Sequence, residues 1–156
     1  MENKIVVKQS PTADTRTCDV TKVTKEQLLH SSRLHIQDVI SGMNLIADEI
    51  KQRAREHDYT KIEELDGFFK DFKNDFKTKD WFKLHKREER HHLQDSDGVR
   101  DDVDLIDVIE CVVDVVMAGL ARSGKVTEIK IPADVLNRAV QNTASKLEGK
   151  VTVEEE

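Results

Sequence analysis

The segment DDVDLIDVIECVVDVVMAGLA, residues 101–121, decides the fold that this sequence predicts. Apart from its acids it is apolar on nearly every side of a helix, which is typical of a central helix buried by its neighbours. Asp107, Glu110 and Asp114 fall on one face of that helix. Asp104 lies beside them. Because unpaired buried carboxylates are costly, this acidic stripe needs cations, hydrogen-bond donors or an opening to solvent.

A first helix is predicted upstream of this segment. The residues from Thr24 to Gln27 have the form of a capping box, in which side chains bond the free N–H groups at a helix start. Apolar residues then recur at steps of three and four up to Ile50. The helix should therefore run from about Lys25 to the low fifties.

A second helix is predicted to begin at about Lys61, at a second capping box that runs from Thr60 to Glu63. Leucine and phenylalanine follow at helical spacing, which favours packing in a core over an exposed platform for stacking bases. His57 and Asp58 therefore fall in the turn before this helix.

Two further helices are predicted after the phenylalanines. Residues 81–94 form a polar helix, and the turn sequence DSDG at 95–98 breaks it. Ser123-Gly124 ends the central helix, and residues 125–131 should be extended. Pro132 then opens a last amphipathic helix.

The expected fold class is all-α, a compact bundle of about five helices over residues 24–148. Residues 1–23 are interpreted as a flexible N-terminal arm, within which NKIVVK could instead be a short edge strand. Residues 149–156 are interpreted as a solvated acidic tail.

The composition limits the partners. Apolar residues make up 37% of the chain and charged residues 36%, with a formal net charge of −6. This balance disfavours a broad phosphate-binding face and hence extended nucleic acid as a partner. Cys18 and Cys111 lack zinc-site spacing and indicate free thiols of a reducing compartment. With no signal sequence or membrane-length apolar run, a cytoplasmic protein without membrane contact is expected, and a homo-oligomer stays open.

Histidines and acids occur along the chain in an order that favours a metal site. A transition metal needs imidazoles and carboxylates that converge from several elements, because one helix offers only two or three side chains to a point. The candidates, in chain order, are His35, His57 with Asp58, His91 with His92, and the acids of the stripe.

This order resembles the HD-domain superfamily of metal-dependent phosphohydrolases, whose helical core holds its metal through a His, the His-Asp pair and a later Asp. Three segments narrow the resemblance to a family of uncharacterised HD-like proteins common in bacteriophages, over about residues 35 to 120. They are HIQDVISGMNLIADEIKQRAREHDYTK, similar to an H…HDxSK opening, WFKLHKREERHH, similar to WxxHKxxNxHH, and DVIECVVDV, similar to DxxExxxDW. Glu89 and Val115 stand where that pattern usually has Asn and Trp.

The resemblance implies ligands for one or two divalent ions, whose identity among Mn, Mg, Co, Ni, Fe and Zn it leaves open. The implied ligands are His35, His57, Asp58 and one of Asp104 or Asp107, with His91 or His92 on a second metal or on the substrate. The implied activity is hydrolysis of a small phosphate ester, with a nucleotide as the first candidate. Asp58 would act in catalysis, and Lys61 and His92 would steady charge on the phosphate.

Two other readings stay open. The chain could keep an HD-like fold without catalysis and bind a nucleotide or a host protein. It could also be a plain oligomeric bundle whose histidines never converge, since a lone His-Asp pair is more often structural than functional. A shared metal sets a geometric condition, because His35 and His57 can meet only if the first helix ends early and the chain turns back.

Overall fold

The structure, a computed structural model, describes residues 4–155 and is mostly helical, which confirms the all-α prediction. Within that range the helices are α1 (Lys25–Glu56), α2 (Tyr59–Glu63), α3 (Leu65–Lys73), α4 (Asp80–Glu88), α5 (Leu105–Ser123) and α6 (Ala133–Glu148). The strands are β1 (Ile5–Lys8), β2 (Gln94–Asp95), β3 (Gly98–Val99) and β4 (Val151–Glu154). Two 3₁₀ turns occupy Pro11–Ala13 and Arg90–His92. Among the described residues, no helix has both the length and the apolar character needed to cross a membrane.

Helix α1 starts as predicted and ends later than predicted. Thr24 N–H donates to Gln27 Oε1 (2.9 Å) and Gln27 N–H donates to Thr24 Oγ1 (3.1 Å), which confirms the first capping box. The helix then continues without a break to Glu56. The sequence KQRAREH at 51–57 contains no glycine or proline that would stop it. The chain therefore does not turn back between His35 and His57.

The prediction of a second capping box, from Thr60 to Glu63, is wrong. Helix α2 begins at Tyr59, one residue before the predicted cap, and it is separated from α3 at Glu64. The residue before α2, Asp58, has a left-handed backbone with φ 59 and ψ 23, and its side chain caps no N–H group of the helix. Thr60 does not cap a helix because its hydroxyl bonds side chains that are remote in sequence.

The described chain divides into two units. The first comprises the described residues up to Asp48 together with those from Ser145 onward, and the second comprises Glu49–Ala144. In the first unit β1 pairs with β4 in parallel, with Ile5 opposite Val151. The predicted tail is solvated over most of Val151–Glu154, but its consecutive β-branched residues form a strand, which the tail prediction missed. The edge-strand alternative for NKIVVK is confirmed at Ile5–Lys8.

The core of the second unit lies at the start of α5. A buried apolar cluster is formed by Leu93, Val103, Val108, Val135 and Ala139. Burial of α5 does not continue along the helix as predicted, because Ile109, Val113 and Met117 are 42%, 53% and 62% exposed. Gly124, with φ 67, ends the helix where the sequence predicts. The later part of α5 thus presents an uncovered apolar stripe within this unit.

The predicted helix over 81–94 is shorter than expected. α4 ends at Glu88, and Glu89 has an extended backbone before the 3₁₀ turn. The DSDG sequence forms the tip of an antiparallel hairpin of β2 and β3, in which Asp97 N–H donates to Asp95 Oδ1. His91 and His92 consequently lie on a tight turn rather than on a regular helix.

Candidate metal centre

The second unit brings together histidines and acids from five places in the chain. They are His57 and Asp58 between α1 and α2, His85 on α4, His91 and His92 on the 3₁₀ turn, Glu89 before that turn, and Glu110 and Asp114 on α5. Four overlapping sets of three have ligand atoms within 4.8 Å of one another and could hold a metal ion. These sets are His57/Asp58/Asp114, His57/His91/Glu110, Asp58/Glu89/His91 and His85/His91/His92.

The Asp58 carboxylate stands between two of these sets. Its Oδ2 lies 3.4 Å from His57 Nε2 and accepts a hydrogen bond from Lys61 Nζ. Its Oδ1 is buried and has no hydrogen-bond partner among residues 4–155, although it lies 3.6 Å from His85 Nε2 and 3.8 Å from His91 Nε2. Burial disfavours the charged form, but Lys61, His57 and His91 together hold the pKa of Asp58 below its ordinary value. The carboxylate is therefore ionised, and only one of its two oxygens has a hydrogen-bond partner in the described chain.

The spacing at His57 suits a shared ion. His57 Nε2 lies 3.4 Å from Asp58 Oδ2 and 3.6 Å from Asp114 Oδ1. These separations are longer than good hydrogen bonds. Two ligand atoms that each stand about 2.1 Å from one ion are about 3.0 to 3.5 Å apart. The three side chains are 19% to 29% exposed, so a small molecule can reach them.

Glu110 orients His57 toward that point. Glu110 Oε1 lies 2.9 Å from His57 Nδ1, and a carboxylate can only accept, so Nδ1 carries the proton. Whenever the ring carries a single proton, this bond keeps it on Nδ1, and the lone pair of Nε2 then faces Asp58 and Asp114. A histidine tied to a carboxylate through one nitrogen and free at the other is the usual arrangement of a metal ligand. Burial opposes the charge of Glu110, but His91 and His57 hold its pKa below the ordinary value.

A chain of hydrogen bonds through the Thr60 hydroxyl fixes the tautomer of His85. Thr60 Oγ1 donates its one proton to Glu89 Oε1 (2.7 Å), so it must accept from His85 Nδ1, which is also 2.7 Å away. His85 Nε2 is then a bare acceptor opposite the Asp58 oxygen that has no partner. Burial lowers the pKa of His85 to about 4, so the ring is neutral at pH 7. Two acceptors facing each other leave room for a cation between them.

Glu89 also holds the backbone of the His-Asp turn. Its Oε2 accepts from the N–H of Asp58 (3.1 Å) and its Oε1 accepts from the N–H of Thr60 (2.9 Å). Glu89 is 3% exposed, so these bonds are made away from water. Glu89 thus clamps this turn through two backbone N–H groups.

His91 and His92 both belong to sets that could hold a metal ion. His91 is 3% exposed and its Nδ1 lies 3.4 Å from Glu110 Oε1, so it faces the acids of α5. The Nε2 of His92 is also buried, and it has no hydrogen-bond partner in the described chain. Burial and the neighbouring His91 lower the pKa of His92 to about 3. A neutral His92 does not supply the positive charge toward phosphate that the resemblance implied.

His35 does not join the site. It lies within α1, and the twenty-two residue-to-residue steps from His35 to His57, twenty-one of them inside the helix, span about 33 Å. That separation excludes a metal ligated by both histidines. The prediction of His35 as a ligand of the His57-Asp58 ion is therefore wrong.

Asp104 and Asp107 are used by the fold. Asp104 caps α5, accepting from the N–H groups of Ile106 and Asp107 at 2.9 Å each. Asp107 is fully buried, and it accepts from Arg53 (2.6 Å) and from two nitrogens of Arg90 (2.7 and 2.8 Å). Neither aspartate belongs to a set that could hold a metal among the described residues. Two acids of the stripe face His57 instead, Glu110 at Nδ1 and Asp114 at Nε2.

His85 and Glu89 had no role in the sequence prediction, and Glu110 entered it only as one acid of the stripe. In the structure His85 also stacks on Trp81, with ring centroids 4.6 Å apart. A signal for Glu110 was present, because it lies on the same helical face as Asp114. No local pattern marks Glu89, whose partners are about thirty residues away in sequence.

An apolar groove opens beside His57. It has a volume of about 300 Å³, and the apolar side chains that line it come from α1 and α5. They are Ile50, Ala54, Ile106, Ile109, Val113 and Met117. His57, Glu110 and Asp114 also line the groove, so the candidate ion site lies in its wall.

Comparisons with protein-family models, with curated proteins and with solved structures find no match to this chain. The geometry of the second unit is therefore the basis for assigning a function.

Proposed function

We propose that this chain is a divalent-metal-dependent phosphohydrolase that acts on a small phosphate ester. The observation that carries the proposal is the Asp58 carboxylate, which stands between His57 and His85 with one buried oxygen lacking a partner in the described chain. A buried ionised oxygen is costly unless a donor or a cation compensates it.

The donor set fits a transition metal. Imidazole and carboxylate together favour Mn, Fe, Co, Ni or Zn, whereas Mg and Ca favour oxygen alone. His57, Asp58 and Asp114 would hold one ion, and His85, His91 and His92 offer a second place on the other side of Asp58. A bound divalent ion would polarise the phosphoryl oxygens and lower the pKa of a water molecule.

Lys61 suits the binding of a phosphate oxygen. Its ammonium group contacts Asp58 Oδ2 and its side chain is 28% exposed, so it can turn toward a substrate. If Asp58 Oδ2 held a metal ion in place of the ammonium group, Lys61 would be available for the phosphate.

The proton steps require a base and an acid. Water attacks phosphorus, a new P–O bond forms, and the P–O bond to the alcohol breaks. Asp114 is the carboxylate of the set that accepts no bond from Lys61, and it can take the proton of the water and pass it to the leaving alkoxide. The products are the alcohol and inorganic phosphate.

The resemblance to the HD superfamily supports this proposal through His57, Asp58 and the His91-His92 pair. His35, Asp104 and Asp107 do not contribute to it. A nucleotide remains the substrate class that the resemblance suggests.

Metal content and turnover together test the proposal. Purified protein should contain a transition metal by elemental analysis, or take up Mn²⁺, Co²⁺ or Ni²⁺ in a calorimetric titration. It should then release phosphate from members of a phosphate-ester panel. Asp58→Asn should abolish both properties, whereas Arg87→Gln, a control at an exposed residue of α4, should keep them.

The rival function is a non-catalytic binding protein. It is favoured by Asp107, because Arg53 and Arg90 neutralise part of the acidic stripe without a metal. Metal uptake without turnover on the whole panel would establish this rival. Absence of metal uptake would refute the phosphohydrolase and leave the binding protein in its place.

A further inference from the structure

The groove beside His57 differs chemically from the site in its wall. Its polar members contact one another, with Arg53 Nη1 3.8 Å from Glu110 and His57 hydrogen-bonded to Glu110. The remaining wall is aliphatic. Ile109, Val113 and Met117 are each more than two-fifths exposed, so apolar area is left in water there.

The charges of the groove argue against a phosphate inside it. The cation that lines it, Arg53, is 19% exposed and its Nη1 is bound to Asp107 at 2.6 Å. Glu110 and Asp114 add negative charge to the wall. A phosphate would meet no available cation there, while Lys61 and the ion site lie at Asp58. The groove therefore suits the uncharged part of a substrate.

We propose that this groove binds the apolar, ring-sized alcohol portion of the phosphate ester, so that the substrate class is an aryl phosphate monoester. The inference rests on the proposed function, because the phosphate end is placed at the ion site. A volume of about 300 Å³ is at the lower end for small-molecule pockets and suits one or two fused rings.

The aliphatic wall sets the specificity. Ile109, Val113 and Met117 would lose water contact when a flat apolar ring covers them. A sugar, including the one that carries the phosphate in a nucleotide, or glycerol would instead place hydroxyls against this wall, where they lose hydrogen bonds to water. The groove thus favours an aryl ester over the nucleotide that the resemblance suggests. The groove therefore discriminates by apolar area rather than by polar edges.

Binding and turnover of matched probes test this inference. In the metal-loaded protein, 1-naphthyl phosphate should show a KM at least about tenfold below that of glycerol 2-phosphate. In the metal-free protein, 1-naphthol should bind in a calorimetric titration. Val113→Trp, which fills the groove, should abolish naphthol binding and remove the preference. Leu120→Trp, on the same helix and not among the groove residues, should preserve both.

Two outcomes overturn the inference while leaving the proposed function intact. One is equal KM values for the two esters in a protein that takes up metal and releases phosphate. The other is a wild-type dimer that Val113→Trp dissociates while naphthol binds unchanged, which would assign the apolar stripe to a second copy of the chain. A protein that takes up no metal but binds naphthol in a Val113-dependent manner would refute the phosphohydrolase and support the groove as an apolar site.

Discussion

Asp107→Asn is the substitution that best separates the fold from the ion site. Asp107 is 0% exposed and its two oxygens accept from Arg53, from two nitrogens of Arg90 and from the N–H of Asp104. Asparagine keeps the shape but removes the charge and turns an NH₂ group toward guanidinium donors. Burial opposes the charge of Arg90, and its bonds to Asp107 and Asp102 raise its pKa, so the loss falls on a strongly held cation.

The expected loss of stability depends on which ion pairs Arg53 and Arg90 keep in the variant. Breaking a buried ion pair by removing one partner costs about 3 to 5 kcal/mol. Arg53 keeps a contact to Glu110 at 3.8 Å and Arg90 keeps Asp102 at 2.7 Å, so the loss should be near the lower limit. We expect the free energy of unfolding to fall by about 3 kcal/mol. Asp102→Asn, a control whose carboxylate is 71% exposed, should cost at most about 1 kcal/mol.

Urea unfolding, followed by circular dichroism, measures both losses in metal-free protein. Nickel titration of the folded variant measures the site, and its dissociation constant should stay within about threefold of the wild-type value, because Asp107 is not a ligand. A variant that unfolds like the wild type but no longer binds nickel would refute this reasoning. That result would restore Asp107 as a metal ligand.

Three further outcomes are expected. Thr60→Val removes the acceptor of His85 Nδ1 and should weaken nickel binding about 10- to 100-fold. The ring proton of His85 should move to Nε2, which nitrogen-15 NMR detects. Thr60→Ser should restore the nickel affinity and the original tautomer, and failure to do so would contradict the role of the Thr60 hydroxyl. His35→Ala should leave the nickel titration unchanged, and a weaker titration would place His35 at the site after all. The metal-free fold should lose stability as the pH falls from about 6.5 toward 4. The reason is that the unfolded chain takes up protons there while the folded chain, with the pKa of His85 near 4 and that of His92 near 3, does not. Equal urea midpoints at pH 7 and pH 5 would contradict the predicted loss of stability at lower pH.

Helix positions could be predicted from the sequence because they depend on local periodicity. The capping box at Thr24 was identified correctly, since both of its hydrogen bonds are local. The second box failed for the opposite reason. Thr60 has the same local pattern, but its hydroxyl bonds both Glu89 and His85, and the pattern contains no information about these remote partners. The strand at Val151–Glu154 was missed similarly, because its partner lies at the other end of the chain.

The residue types of the candidate site could be predicted from the sequence, but the individual acids that belong to it could not. His57, Asp58 and Lys61 do meet, because they are neighbours in one turn. Choosing among the acids of α5 requires knowing which of them arginines already neutralise. Arg53 and Arg90 approach Asp107 from other segments, so spacing along the helix alone could not distinguish it from Asp114.

The left-handed backbone of Asp58 has a consequence for which sequences can carry this turn. At φ 59 most residues with a side chain are strained, whereas asparagine and aspartate are tolerated and glycine is unstrained. Glutamate offers the same carboxylate but not the same tolerance. Position 58 therefore has two separate requirements. The residue must tolerate a left-handed backbone, and its side chain must offer a carboxylate oxygen to the ion. A randomised library sorted for folding should retain Asp, Asn and Gly, and a second sort for metal retention should keep Asp alone.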